Sequence, residues 1–301
     1  MTPELVCFGN FTIDDVVLPD GTERPGCTGG DALYATLAAR AWEPECQLVA
    51  PVGHDLPPSV TVAMGRAGLS FRGMVPRDLP TLHNRVEYFS DGSREWTLFA
   101  DPATFDALSP LPSDIPADWR QAQAFLILAM TLDAQERLVA DLRATTTALI
   151  ALDPQEDYIA GNEARLRRLV SQVDIFLPSA EEVRRLLNTE DWEQAARDLA
   201  ALGPQIVVVK LGEDGCLVHD RRNGLMQHLP ARAVPHVADT TGAGDSFCGA
   251  FMAALLDDPT DPLRAARAGA LAASITVQGY GADPLFACNP ADLRAQFDAG
   301  H

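Results

Sequence analysis

Apolar positions along the chain fall into two recurring patterns. Continuous runs of Val, Ile, Leu, Phe and Ala, of strand length, occur at 5–9, 46–52, 124–128, 147–152, 175–178, 206–210 and 215–219. Between them lie longer apolar or amphipathic stretches at 31–41, 59–67, 134–144, 162–171, 179–187, 192–202, 246–256 and 262–276. Unbroken apolar runs belong to strands buried on both faces, and helix-length stretches between them serve as crossovers. The pattern predicts a doubly wound α/β fold, with a mostly parallel sheet covered by helices on both faces.

Two segments depart from it. Residues 11–28 are extended and punctuated by Gly and Pro, and 69–99 alternates polar with apolar positions. Within the second, HNRVEYFSDGSREWTLF (83–99) has the form of a β-hairpin turning at Asp91-Gly92. The expectation is a single domain over 1–301, carrying a small β lid formed by about 11–28 and 69–99. A proline-rich patch at 109–116 leads back into the main fold, and no internal repeat is visible.

Composition narrows the partners. The chain has 301 residues and a formal charge of -19. Such a balance disfavours nucleic acid, which needs a basic footprint, and anionic membranes. Lys210 is the sole lysine. The six cysteines form no C-x-x-C pair and the six histidines show no metal-ligand spacing, so neither zinc nor a disulfide framework is expected. No apolar run has membrane-spanning length, and MTPELVCFGN leads straight into a strand without a signal-like region. These features predict a cytoplasmic protein.

The chemistry concentrates in HVADTTGAGDSFC, residues 236–248. Gly242 and Gly244 allow tight curvature and close backbone approach, and a helix beginning near Asp245 aims its free N–H groups outward. That arrangement binds anions, and a carboxylate beside it can take a proton from a hydroxyl. On GAGDS alone, a loop with Asp245 or Ser246 as a simple N-cap is the plainer reading. The string is neither a P-loop, lacking G-K-[ST], nor a dinucleotide fingerprint.

The longer string DTTGAGDSF (239–247) closely resembles the C-terminal signature of the ribokinase (PfkB) family of carbohydrate kinases. GNFTIDDVV at 9–17, Gly29-Gly30-Asp31, VVVKLGEDGCLV at 207–218 and GYGA at 279–282 resemble further family segments in the same order. The resemblance implies Asp245 as catalytic base and Gly242, Ala243 and Gly244 as the anion hole. It implies a substrate end at Asp14 with Gly29 and Gly30; Asn10, Thr12 and Asp31 add donors and acceptors for sugar hydroxyls. Lys210, Gly212 and Gly215 match the ATP-side segment. Ser179-Ala-Glu-Glu182 matches the N-x-x-E motif near Mg2+ and phosphate, with Ser179 in place of asparagine. Without the resemblance, Ser179 and Glu182 form a capping box, and both roles can coexist. Asp239 and Thr241 fall where some members bind a monovalent cation such as K+. Tyr34 stands where the family has an asparagine.

The expected activity is ATP-dependent phosphorylation of a hydroxyl on a small sugar or polyol, with magnesium. A nucleoside kinase of the same family is one alternative, since Tyr88, Phe89 and Trp96 could cover a base. A non-catalytic binding protein that kept the fold is another, favoured by Tyr34 and Ser179. Arg85 and Arg94 of the hairpin either meet the substrate or serve solubility. A homodimer through the lid edge is a further expectation.

Overall fold

The computed structural model describes residues 2–89 and 94–299. Its strands are β1 (Leu5–Phe8), β2 (Thr12–Val17), β3 (Glu23–Gly29), β4 (Gln47–Val49), β5 (Leu82–Tyr88), β6 (Arg94–Leu98), β7 (Ala124–Ile127), β8 (Leu149–Leu152), β9 (Ile175–Phe176), β10 (Ile206–Lys210), β11 (Cys216–Asp220) and β12 (Leu225–Leu229). The helices are α1 (Asp31–Ala39), α2 (Pro58–Arg66), α3 (Pro102–Ala107), α4 (Leu132–Thr145), α5 (Glu163–Val170), α6 (Ala180–Leu187), α7 (Trp192–Leu202), α8 (Ala243–Asp257), α9 (Pro262–Thr276), α10 (Asp283–Ala287) and α11 (Pro290–Ala299).

Eight strands form one sheet in the order β12-β11-β10-β9-β8-β7-β1-β4. From β4 to β10 every pairing is parallel, and β10-β11-β12 closes one edge with antiparallel pairs. Successive side chains of each strand enter opposite layers. Leu5, Cys7, Leu126 and Val208 pack with α1, α8 and α9 on one face, while Val6, Phe8, Phe125 and Val207 pack with α4, α5 and α7 on the other. Burial on both faces is why these strands read as unbroken apolar runs, and the expected doubly wound α/β fold is present.

A separate four-stranded sheet has the order β3-β2-β5-β6. Strands β5 and β6 pair antiparallel with Tyr88 opposite Arg94, as the hairpin pattern predicts. The Asp91-Gly92 turn lies outside the described residues. Strand β2 pairs parallel with β5, setting Asp14 opposite Asn84.

Several elements differ from expectation. β12, α3, α10 and α11 appear where no element was predicted. β12 is an edge strand whose exposed positions 227 and 228 interrupt any apolar run. The α8 helix begins at Ala243 rather than 246, because Gly242 at φ 75° turns the chain directly into it. Neither Asp245 nor Ser246 is the N-cap: Gly242 holds that position, with no side-chain cap. The approach of α8 to α1 also depends on a glycine. A Cβ at Gly249 would lie 2.0 Å from the Ala35 carbonyl oxygen, so only glycine lets the two backbones meet there. Among the described residues no helix is long and apolar enough to cross a membrane.

Candidate active site

Side chains from several carboxyl-terminal strand ends meet beneath the four-stranded sheet. Asn10 follows β1, Asp153 follows β8 and Lys210 ends β10, with the first turn of α8 facing them. Together they line a cavity of about 470 Å3. Open α/β sheets bind ligands outside the carboxyl ends of their strands, and this cavity occupies that place.

At one end Gly242 exposes the N-terminus of α8, where unpaired N–H groups and the positive end of the helix dipole favour an anion. Asp245 lies in that first turn, partly open to the cavity. Burial pushes its carboxyl up to about 6, and the neighbouring Asp153 charge adds to this, while Lys210 opposes it. Lys210 Nζ donates to both oxygens of Asp153 at 2.7 and 2.6 Å. Burial alone would lower the lysine, but Asp153, with Cys248 and Glu182 near, holds it above the ordinary range. Burial, then the Asp153 charge, raises Glu182 to about 8 against the pull of Lys210 and of its bonds to Ser179. Asp31, at the start of α1, is raised well above the carboxylate range by burial and by the Asp245 charge. One buried cation thus serves a crowd of carboxyl groups.

The other end is built by β2, β5 and α1. Asp14 is buried, which raises it to about 6, while hydrogen bonds from Asn84 and Thr12 hold it down. Asn84 Nδ2 donates to Asp14 Oδ1 at 2.8 Å across the β2–β5 register. Asn10 Nδ2 donates to the Leu108 carbonyl at 2.9 Å. Tyr34 packs its ring against Gly242: a Cβ there would come within 2.4 Å of the ring. Leu98 and Phe105 supply an apolar wall. The two ends are tied by Tyr88, whose hydroxyl donates to Asp239 Oδ1 and lies 3.4 Å from Thr241 Oγ1. Thr241 N donates to that same Asp239 oxygen at 2.7 Å.

Most of the residues singled out from sequence line this cavity: Asn10, Thr12, Asp14, Gly30 and Asp31 at one end, Glu182, Lys210, Thr241, Gly242, Gly244 and Asp245 at the other. The remainder stand behind it or apart. A Cβ at Gly29 would lie 2.3 Å from Asp14 Oδ2, so this glycine makes room for the carboxylate. Ser179 accepts from Glu182 N at 3.2 Å and its own N–H donates to Glu182 Oε2 at 2.6 Å, a complete capping box that orients a cavity-lining glutamate. Asp239 supports Thr241 from below, and Ala243 lies in the first turn of α8 without lining the cavity. Gly212 and Gly215 form the turn between β10 and β11 and do not line it; a Cβ at Gly215 would strike the Leu229 carbonyl at 2.0 Å. Arg85 turns to Glu23 and Glu87, away from the cavity. Tyr280, from the GYGA segment, packs against Tyr88 and beneath Arg24.

Two residues escaped the sequence reading. Asp153 is the first polar residue after the apolar run of β8, at the carboxyl end of a parallel strand, and that placement was its signal. Asn84 has no signal of its own; only the strand register brings it to Asp14.

A doubly wound α/β sheet with a glycine-opened helix end and a carboxylate beside it is an arrangement suited to phosphoryl transfer. The chain belongs to the pfkB family of carbohydrate kinases, whose profile matches residues 98–287, and is an ATP-dependent kinase of that class. A cytidine kinase of Thermococcus kodakarensis is 30% identical over 254 residues, covering 83% of this chain and 87% of the relative. Solved structures agree in fold. The nucleoside kinase of Burkholderia thailandensis in complex with inosine superposes at a TM-score of 0.80, with 17% identity over 98% of this chain and 96% of that one. The ribokinase of Arabidopsis thaliana complexed with ribose and ATP gives 0.76, with 23% identity over 99% of both chains.

Proposed function

We propose that the protein transfers the γ-phosphoryl group of ATP to a hydroxyl of a small polyhydroxylated acceptor, with nucleosides as the first acceptor class. The observation that carries this reading is the position of Asp245, a carboxylate in the first turn of α8, beside the Gly242 turn and open to the cavity. The acceptor O–H donates to Asp245. As the proton moves to the carboxylate, the acceptor oxygen forms a bond to the γ-phosphorus and the bond to the ADP oxygen breaks. A carboxyl held near 6 is ionised at neutral pH and still basic enough to share the proton. The amides of Gly242 and Gly244 and the α8 dipole take up charge on the transferred group, while the Ala243 N–H, expected to join them, donates to the Thr240 carbonyl at 3.3 Å.

The acidic donor set suits magnesium, which prefers oxygen ligands and retains water. Glu182 and Asp153 would hold it through that water, and it would neutralise phosphate charge. Near Asp239 and Thr241, where the resemblance implies potassium, the described residues gather no cluster of three metal-binding side chains. A monovalent cation there would draw on Asp239 and Thr241, and comparing KCl with NaCl at one ionic strength measures the dependence. The four-stranded sheet acts as a lid over the acceptor, fastened through Tyr88 to the loop before α8. Residues 23–26 of β3 are exposed along its outer edge, the surface on which a second copy would pair.

Nucleosides stand first because Leu98 and Phe105 offer apolar surface to a base and because the cytidine kinase shares 30% identity over most of the chain. A free sugar or polyol is the second reading, favoured by the polar wall of Asn10, Thr12 and Asp14. The test is ADP release with Mg-ATP and a panel of cytidine, uridine, inosine, adenosine, ribose and fructose. Turnover of a nucleoside at least ten times above ribose and fructose supports the first reading; the reverse order supports the second. No turnover of any acceptor, in a protein that binds ATP, removes the proposal.

A further inference from the structure

The buried face of α4 carries Leu132, Ala134, Leu138, Val139 and Leu142, and among them one polar side chain, Gln135, which is 0% exposed. A buried amide is costly unless its donors and acceptor are paired, so its partners define its role. Gln135 Nε2 donates to the Leu128 carbonyl at 2.8 Å and to the Asp153 carbonyl at 2.9 Å. Its Oε1 accepts from the hydroxyl of Tyr158, in the 3-10 turn Glu156–Tyr158. Carbonyls only accept, so the NH2 must face them and the amide has one orientation. Leu128 and Asp153 are the first residues beyond β7 and β8. Asp153 N donates to the Ile127 carbonyl at 2.8 Å; the chains then part, one into α4 and the other along the cavity at 154–157. Gln135 joins the two strand ends past that last main-chain bond. Asp153 is thereby pinned at both its N–H and its C=O, and its carboxylate is directed at Lys210 Nζ, 2.7 and 2.6 Å away.

We propose that Gln135, oriented by Tyr158, is a positioning residue that fixes the Asp153 carboxylate for phosphoryl transfer. Its kinetic consequence rests on the kinase reading of the cavity; the hydrogen bonds stand without it. Gln135 touches neither acceptor nor nucleotide and acts only through Asp153. Without the amide, the Asp153 main chain is free at its carbonyl, and the carboxylate no longer meets Lys210 and the cavity in a single geometry. Small misplacements of a charged group near the reacting atoms are costly in rate.

Lys210 is the only lysine, so isotope-labelled lysine gives a single side-chain ammonium signal in NMR, which reads the Asp153 contact in the free protein. An ammonium held by a buried carboxylate exchanges its hydrogens with water slowly, and faster once that partner moves. At one fixed pH, Gln135→Leu is expected to speed the exchange about 10-fold. Leu138→Ala opens a cavity on the same face of α4 and bonds to neither carbonyl, so it destabilises the protein and leaves the exchange unchanged. Tyr158→Phe keeps both amide donors and releases only the amide oxygen; it is expected to speed exchange about threefold, and it decides the matter if Gln135→Leu does not fold. In turnover with Mg-ATP, Gln135→Leu is expected to lower kcat about 10-fold with the acceptor KM little changed, and to add almost nothing in an Asp153→Asn background. Three results overturn the positioning role: exchange unchanged in Gln135→Leu and Tyr158→Phe, exchange that quickens equally in Leu138→Ala, or kcat losses that multiply in the double variant. A wild type that turns over no acceptor sinks the kinase reading instead, and the exchange measurement still decides whether Gln135 holds Asp153 against Lys210.

Discussion

Lys210→Met probes the balance on which the cavity rests. Lys210 and Asp153 are 14% and 5% exposed at their side chains and meet at 2.6 Å. At an effective dielectric near 20, two unit charges at that spacing attract by about 6 kcal/mol, most of which offsets the cost of taking both from water. Removing the lysine strands a buried carboxylate, and breaking a buried pair this way costs about 3–5 kcal/mol. Against a total stability of about 5–15 kcal/mol, that is a large loss, visible as a lower urea midpoint. Adding Asp153→Leu to the same chain removes the stranded charge and recovers most of it. The pair also acts on Asp245, the proposed base. Lys210 lowers the Asp245 carboxyl and Asp153 raises it, so Lys210→Met moves the acid limb of kcat to higher pH and Asp153→Asn moves it to lower pH. Urea unfolding and pH-rate profiles of the variants decide the matter. A loss below about 1 kcal/mol in Lys210→Met, no recovery in the double variant, or limbs shifting in the same direction would refute the electrostatic argument.

Three further outcomes are expected. With Asp245 as the proposed base, kcat in wild type should rise with pH through about 6, the value to which burial raises its carboxyl; a flat profile between pH 5 and 7.5 under saturating substrates contradicts this. Gly242→Ala forces a side chain into φ 75° and within 2.4 Å of the Tyr34 ring; the left-handed backbone alone costs about 1–2 kcal/mol, and turnover should fall at least tenfold as the α8 amides shift. Tyr88→Phe removes the hydroxyl that donates to Asp239; loss of a hydrogen bond to a charged group, about 1.5–3 kcal/mol, should raise KM for the acceptor about 10- to 100-fold with ATP affinity little changed.

How far the sequence could be read depended on whether a feature was local. The parallel sheet was visible because strands such as LVCF and AFLI are buried on both faces and read as unbroken apolar runs. The α8 turn was visible because Gly242, Gly244 and Asp245 lie within four residues of one another. Its capping was misread: a side-chain cap at Asp245 or Ser246 was the plain local choice, whereas the glycine's own left-handed backbone opens the helix. β12 was invisible because an edge strand exposed on one side carries no continuous apolar signal. Asn84 and the Tyr88–Asp239 tie depend on contacts 70 and 151 residues apart in the chain, which no local pattern encodes. Asp153 lay between these cases, marked by its place after β8 but given meaning only by Lys210 across the cavity.

Asp245→Asn is the most direct test of the central claim, because it keeps the shape of the first turn of α8 and removes only the proton acceptor. The variant is expected to bind Mg-ATP with unchanged affinity while kcat, measured by ADP release with the best wild-type acceptor, falls about 10³-fold or more. Turnover within tenfold of wild type in that variant would take Asp245 out of the base role and with it the proposed chemistry of the site.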